Sequence, residues 1–214
     1  MGIIEKTILF VKESLSGAES GHDWWHIQRV LNNSWIIAEA EHANLLVCKL
    51  GALLHDIADP KFHDGDEKKG RRIAMEFLKL HSVPEKQIDN ILDIIENISF
   101  SKSHENDKPK SVELQVVQDA DRLDAIGAIG IARAFSYGGY KNRIMYDPSI
   151  PPKKYSNSTE YRNSKSHTIN HFHEKLLLLK DMMNTPTGKK MAENRHQFIL
   201  QFLDQFHNEW DGKI

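Results

Sequence analysis

Apolar residues recur at three-to-four-residue spacing along nearly every segment of this chain, and nowhere do they alternate as a half-buried strand requires. That pattern confines the fold to helices. Ile3 to Leu15 reads as the first helix. Trp24 to Ala40 reads as the second, with Ile27, Val30, Leu31 and Ser34 on one face and Asp23 placed to cap it. A third runs from about Ala43 to His55 and is stopped near Pro60, because proline donates no amide hydrogen and disfavours helical geometry before it. An amphipathic helix follows from Asp66 to Leu80. Ser82-Val83-Pro84-Glu85 then reads as a capping box with an early proline, opening a helix through Ile88 to Ile98.

Val112 to Asp124 is a further predicted helix, and Gly127 with Gly130 in the next apolar run points to close helix packing rather than a turn. Tyr137 to Ser166 carries Gly138, Gly139, Pro148, Pro151 and Pro152 among Lys, Asn, Ser and Tyr, the composition of a long irregular excursion. Helices of about Thr168 to Met183 and Pro186 to Glu209 close the chain, with Thr185 as the cap of the last. Phe198, Phe202, Leu203, Phe206 and Trp210 form an apolar stripe suited to packing back on the core. Trp24, Trp25 and Trp35 read as core or helix-packing groups. The expectation is one all-α domain of 214 residues, with a core of about 20–135, a loop excursion at 137–166 and C-terminal helices at 167–210.

Charge and cysteine usage narrow the function classes. A formal net charge of -2 argues against a protein built to grip nucleic-acid phosphates, so no stable nucleic-acid partner is expected. Cys48, the only cysteine, sits inside an apolar run; it allows neither an intrachain disulfide nor a thiolate-rich zinc site, and it fits a reducing cytoplasm. Glu5, Lys6, Lys12 and Glu13 interrupt any signal-type apolar core, and no stretch approaches the roughly 18 apolar residues of a membrane span. The reading is a soluble cytoplasmic protein, whose apolar stripes leave room for a homodimer.

Leu54-His55-Asp56 carries the chemistry. It sets an imidazole beside a carboxylate where a hydrophobic helix stops, an arrangement that costs free energy unless something compensates both groups. A divalent cation does so, since neutral imidazole and ionised carboxylate are both lone-pair donors. Candidate partners are His26 in the second helix and Asp121 in Gln118-Asp119-Ala120-Asp121-Arg122-Leu123-Asp124, each interrupting a core-like helix; His22 and Asp119 are near alternatives. Two imidazoles with two carboxylates suit Mn²⁺, Fe²⁺, Co²⁺ or Mg²⁺ better than a closed structural zinc. Mn²⁺ is favoured over Mg²⁺ because imidazole ligands suit it better.

The order His, His-Asp, Asp resembles the HD-domain phosphohydrolase superfamily, and the likeness extends to longer motifs. His-Asp-Trp-Trp-His-Ile-Gln-Arg-Val at 22–30, Leu-Leu-His-Asp-Ile-Ala-Asp at 53–59, Ile-Ser-Phe at 98–100 and the run from Gln118 to Arg133 look like a small bacterial branch of it. His171-Phe172, Lys175-Leu176-Leu177 and Thr187-Gly188-Lys189 are similar to that branch's C-terminal pattern. The resemblance implies metal ligands at His26, His55, Asp56 and Asp121, with Asp59 where related nucleotidases hold an acidic proton-transfer residue. Ile98 stands where some relatives carry histidine, which implies one ion rather than two. Phosphoryl transfer calls for cationic substrate-binding groups near the ion: Lys61 lies close after the His-Asp turn, Arg122 directly follows Asp121, and Arg133, His171 and Lys175 are later candidates, with His171 and Lys175 four apart on one helix face.

The implied activity is a divalent-metal-dependent attack of water on phosphorus in a nucleotide, foremost a (deoxy)nucleoside triphosphate pyrophosphohydrolase. The alternatives are a nucleoside monophosphate phosphatase, a phosphodiesterase, or a metal-dependent nucleotide sensor without turnover. His22 to His26 mimics a zinc-protease HExxH helix, but aspartate replaces the required glutamate. Thr185 to Lys190 lacks the first glycine and the final Ser or Thr of a phosphate loop. The 137–166 segment, with Lys141, Arg143, Lys153 and Lys154, is expected to act as a lid over bound phosphate.

Overall fold

The computed structural model describes residues 1–16, 23–58, 67–98, 109–155, 160 and 166–214. Among the described residues there are nine α-helices and no strand: α1 (Ile3–Ser14), α2 (Trp24–Ala40), α3 (Leu45–Leu54), α4 (Glu67–Leu80), α5 (Glu85–Asn97), α6 (Val112–Asp124), α7 (Gly127–Tyr140), α8 (Thr168–Glu174) and α9 (Pro186–Trp210). Short 3-10 turns cover Asp56–Ala58 and Leu176–Met182. The chain divides into two compact units, Met1–Asp121 with Asn184–Thr187, and Arg122–Met183 with Gly188–Ile214.

The first unit is built round α3, whose residues are apolar on nearly every side. Val47, Cys48, Leu50, Gly51, Ala52, Leu53 and Leu54 are all buried, and α1, α2 and α5 pack around them. A helix apolar all round has no solvent face to present, so it belongs in the centre. Asn44 caps it by accepting from the amides of Leu46 and Val47. Gly51 lets α5 approach closely: a Cβ there would sit 3.0 Å from Ile94 Cδ1. On α5, Ile88, Ile91, Leu92 and Ile95 repeat at helical spacing and are buried. Burial pushes the Cys48 thiol up to about 12, so it is an inert core group.

In the second unit Phe172, Leu176, Leu179, Ile199 and Leu203 are buried. Phe202 stands 5.8 Å from Phe172 and 5.9 Å from Phe135 between ring centroids, and Tyr146 lies edge-on to Trp210 at 5.0 Å. The predicted α9 stripe therefore packs only in part, since Phe198 and Trp210 at its flanks are about half exposed, 48% and 49%.

Several helix ends differ from the sequence expectations. Ser82 caps no helix start: with φ 56 it adopts the left-handed conformation that ends α4, and the Val83 amide donates to Leu78 O at 3.1 Å. The N-cap of α5 is Pro84, which makes no side-chain bond. His42 and Asn142 end α2 and α7 with the same positive φ, and each closing bond runs from the next amide to a carbonyl five residues back. The irregular excursion thus begins at Lys141, because Tyr137 to Tyr140 continue α7. Gly138 is needed there, since a Cβ would collide with the Thr168 hydroxyl.

Gly127 does form a turn, with φ 74, and also packs against Arg195; Gly130 is the close-packing residue, since its Cβ would strike the Ala125 carbonyl. The helix expected over Thr168 to Met183 breaks at Lys175 (φ -143, ψ -55) and continues as a 3-10 turn. Trp25 and Trp35 are exposed rather than core, and Lys12 and Lys49 lie over the Trp24 and Trp35 rings at 4.6 and 4.2 Å.

Candidate metal centre

Four polar side chains of the first unit converge where three helices meet. His26 sits in the first turn of α2, and its own amide donates to the capping Asp23 carboxylate at 2.9 Å. His55 is the C-cap residue of α3, and Asp56 opens the 3-10 turn that follows. The change from α to 3-10 winding at this point brings the imidazole and the neighbouring carboxylate together, His55 Nε2 to Asp56 Oδ1 being 3.3 Å. His26 Nε2 lies 3.4 Å from Asp56 Oδ2 and 3.4 Å from Asp121 Oδ1 on α6, and His55 Nε2 lies 3.9 Å from the same Asp121 oxygen.

The decisive detail is the tautomer of His55. Its Nδ1 donates to the carbonyl of Ala52 at 2.8 Å, one turn back on α3, so the proton of a neutral ring belongs there and Nε2 carries a lone pair. That Nε2 is buried and has no hydrogen-bond partner, although two carboxylates face it. A lone pair set against two anions is electrostatically unfavourable unless a cation lies between them. Donor atoms of His26, His55 and Asp56 all fall within 4.8 Å of one another. Asp121 joins through its contacts to the two imidazoles rather than as a member of that tight triad. Separations of 3.3–3.9 Å exceed those of a charge-assisted hydrogen bond. They match neighbouring ligands of one small cation, for which bonds of about 2.1 Å place donors roughly 3 Å apart. A backbone carbonyl fixing the second ring nitrogen is the usual support of a metal-binding histidine.

Exposure gives the site a direction. The side chains of His26, His55 and Asp56 are 3%, 2% and 12% accessible, whereas that of Asp121 is 37% accessible. The three enclosed side chains form a floor, and Asp121 marks the more open edge of the cluster.

The acidic run on α6 is sorted by its partners. Asp119 is fully buried, and its carboxylate accepts from the Asn184 and Thr185 segment, so it does not join the cluster. The Thr185 hydroxyl donates to Asp119 at 2.8 Å. Asp124 is buried and paired with Arg133 at 2.7 Å. Asp121 alone of the three reaches both imidazoles.

The implied substrate and proton-transfer residues are distributed differently. Asp59 and Lys61 lie outside the described residues, as does His22. Arg122 is buried, and its guanidinium donates to the carbonyl of Met182 within the second unit. His171 and Lys175 also belong to the second unit, but α8 ends at Glu174, so Lys175 occupies the helix end rather than a continuing face. Burial first, then the charges of Lys175 and Arg143, push the His171 imidazole down to about 3. At neutral pH it is an uncharged hydrogen-bonding group. Sequence reasoning missed the Ala52 carbonyl and the Asn184–Thr185 segment. Every residue offers a backbone carbonyl, and the segment is remote along the chain, so neither leaves a local signal.

Comparison with known proteins agrees with this geometry. Residues 24–126, which span His26, His55, Asp56 and Asp121, match the family model for the HD domain. The chain belongs to the HD domain family. It is 37% identical over 209 residues to YpgQ of Bacillus subtilis, covering 97% of this chain and 94% of that protein. The crystal structure of an HD-superfamily hydrolase from Bacillus thuringiensis superposes with a TM-score of 0.78 at 45% identity, covering 97% of this chain and 96% of that one. The crystal structure of YpgQ in complex with ADP gives a TM-score of 0.78 at 35% identity, covering 97% and 94%. The all-helical HD fold and its place among the HD-superfamily hydrolases follow. No helix of the described residues is long and apolar enough to cross a membrane.

Proposed function

We propose that this HD-family protein is a divalent-metal-dependent phosphohydrolase of nucleotides, with (deoxy)nucleoside triphosphate pyrophosphohydrolase as its specific activity. The observation that carries the reading is the buried Nε2 of His55, unpartnered and facing two carboxylates while its Nδ1 proton is held by Ala52. Support for a nucleotide comes from the relative YpgQ, whose crystal structure contains ADP. His26, His55, Asp56 and Asp121 are the residues that would hold the ion, and their mixed nitrogen and oxygen donors favour Mn²⁺. When bound, such an ion supplies an acidified water and charge neutralisation at phosphoryl oxygens.

The chain's own groups do the rest. The Ala52 carbonyl orients the His55 ring, Asp23 caps the helix turn that carries His26, and the open Asp121 edge admits a phosphate tail. Asp59 remains the residue proposed, by resemblance, to transfer the proton.

The test is turnover of a nucleotide panel with Mn²⁺, Mg²⁺ and Co²⁺, reading pyrophosphate and orthophosphate separately. Mn²⁺-stimulated release of pyrophosphate is expected, with Asp56→Ala reduced by about a thousandfold or more, the order seen when a principal catalytic group is removed. Orthophosphate alone would reassign the protein as a phosphatase. Nucleotide binding without turnover under every ion would make it a sensor.

A further inference from the structure

Asp119 stands two residues before Asp121 on α6 and is 0% exposed. Its Oδ1 accepts from the backbone amide of Asn184 at 2.8 Å and from Asn184 Nδ2 at 2.9 Å. Its Oδ2 accepts from the amide and the hydroxyl of Thr185, both at 2.8 Å. The flanking residues are fastened as well. Gln118 Nε2 donates to the Asn97 carbonyl at the end of α5 at 2.7 Å, and Gln118 Oε1 receives Lys110 Nζ at 3.1 Å. The Ala120 carbonyl receives Asn33 Nδ2 at 3.5 Å, from the helix that also carries His26.

Asp121, by contrast, is the ligand least supported by its own surroundings, with a side chain 37% accessible. A carboxylate at an open edge takes its position from the backbone that carries it. A displacement of about 1 Å is enough to spoil such a site. Every bond in the Asp119 clasp lies within the first unit and fixes the turn of α6 from which Asp121 projects.

We infer that Asp119 is a positioning residue for the metal centre: by gripping Asn184 and Thr185 it sets the register of α6 and holds Asp121 Oδ1 against His26 and His55. The inference rests on the metal-centre reading above. It adds a specific dependence of ion affinity on a segment more than sixty residues further along the chain.

Asp119→Ala strips a buried acceptor from four donors and risks unfolding the protein, so Thr185 is the better place to test the clasp. Thr185→Val is nearly isosteric and removes the hydroxyl that donates to Asp119, whereas Thr185→Ser retains it. Free Mn²⁺ is titrated by electron paramagnetic resonance into the full chain, well below the melting temperature, alongside thermal melts of the same samples. The Kd for Mn²⁺ is expected to rise about tenfold in Thr185→Val, the scale of a lost outer-shell partner, and to stay within about twofold of the parent in Thr185→Ser. A Thr185→Val protein that melts earlier but binds Mn²⁺ with the parent Kd would show the clasp to be structural only and overturn the inference. His55→Ala is the separating control. If it abolishes Mn²⁺ binding while Thr185→Val does not change it, the centre stands and the positioning role falls. If His55→Ala binds as the parent does, the centre itself is misassigned and the inference falls with it.

Discussion

At the scale of single residues, the protein separates acids and histidines of similar appearance by their partners. Asp119, Asp121 and Asp124 stand within six residues, yet one grips a distant segment, one faces two imidazoles and one is paired with Arg133. His55 faces two carboxylates, whereas His171 lies near the cations Lys175 and Arg143. With its folded value near 3 against 6.5 in the unfolded chain, His171 binds a proton in the unfolded state first as pH falls. Stability is therefore unaffected above about pH 6.5 and declines between there and pH 3. Urea unfolding in EDTA at pH 7.5 and 5.0 is expected to show roughly 1–2 kcal/mol of this loss in the parent and not in His171→Gln. Equal pH slopes in the two proteins would refute the assignment.

At the scale of elements, helix ends decide what the helix interiors leave open. Asp23 was legible as a cap, because a short acidic side chain directly precedes the periodic run. Its consequence for His26 emerges from the bond it makes to that residue's own amide. Asp23→Ala is expected to cost about 1 kcal/mol of stability and to weaken Mn²⁺ binding, with Asp23→Ser restoring both. Calorimetric titration of the three proteins checks this, and an unchanged affinity in the alanine variant would disconnect the cap from the site.

Ser82 was misread for a physical reason. Only four residues separate α4 from α5, and a serine there can begin the second helix or end the first. Its φ of 56 shows that it ends the first. Ser82→Gly should then raise stability by about 1 kcal/mol, by relieving left-handed strain, in denaturant titrations. A loss of stability would contradict the observed conformation.

At the scale of the whole molecule, an ion held at the proposed centre would be linked to the stability of the fold. A ligand that binds only the folded chain adds roughly 3 kcal/mol at a hundredfold excess over its Kd. Mn²⁺ is accordingly expected to raise the melting temperature by about 5–10 °C for a chain of this size. EDTA should reverse the rise, and His55→Ala should show none. A parent protein whose melting is indifferent to Mn²⁺ would count against the centre.

The helical class and most helix spans were determined by the sequence itself, because a 3.6-residue apolar period is written locally and survives without knowledge of neighbours. The identity of the four converging residues was likewise visible through motifs. Tertiary structure alone decided which nitrogen of His55 carries the proton and what Asp119 holds. Those outcomes depend on groups brought close by folding, such as Ala52 O and the Asn184 and Thr185 amides. A backbone group has the same chemistry at every position until packing gives it a partner.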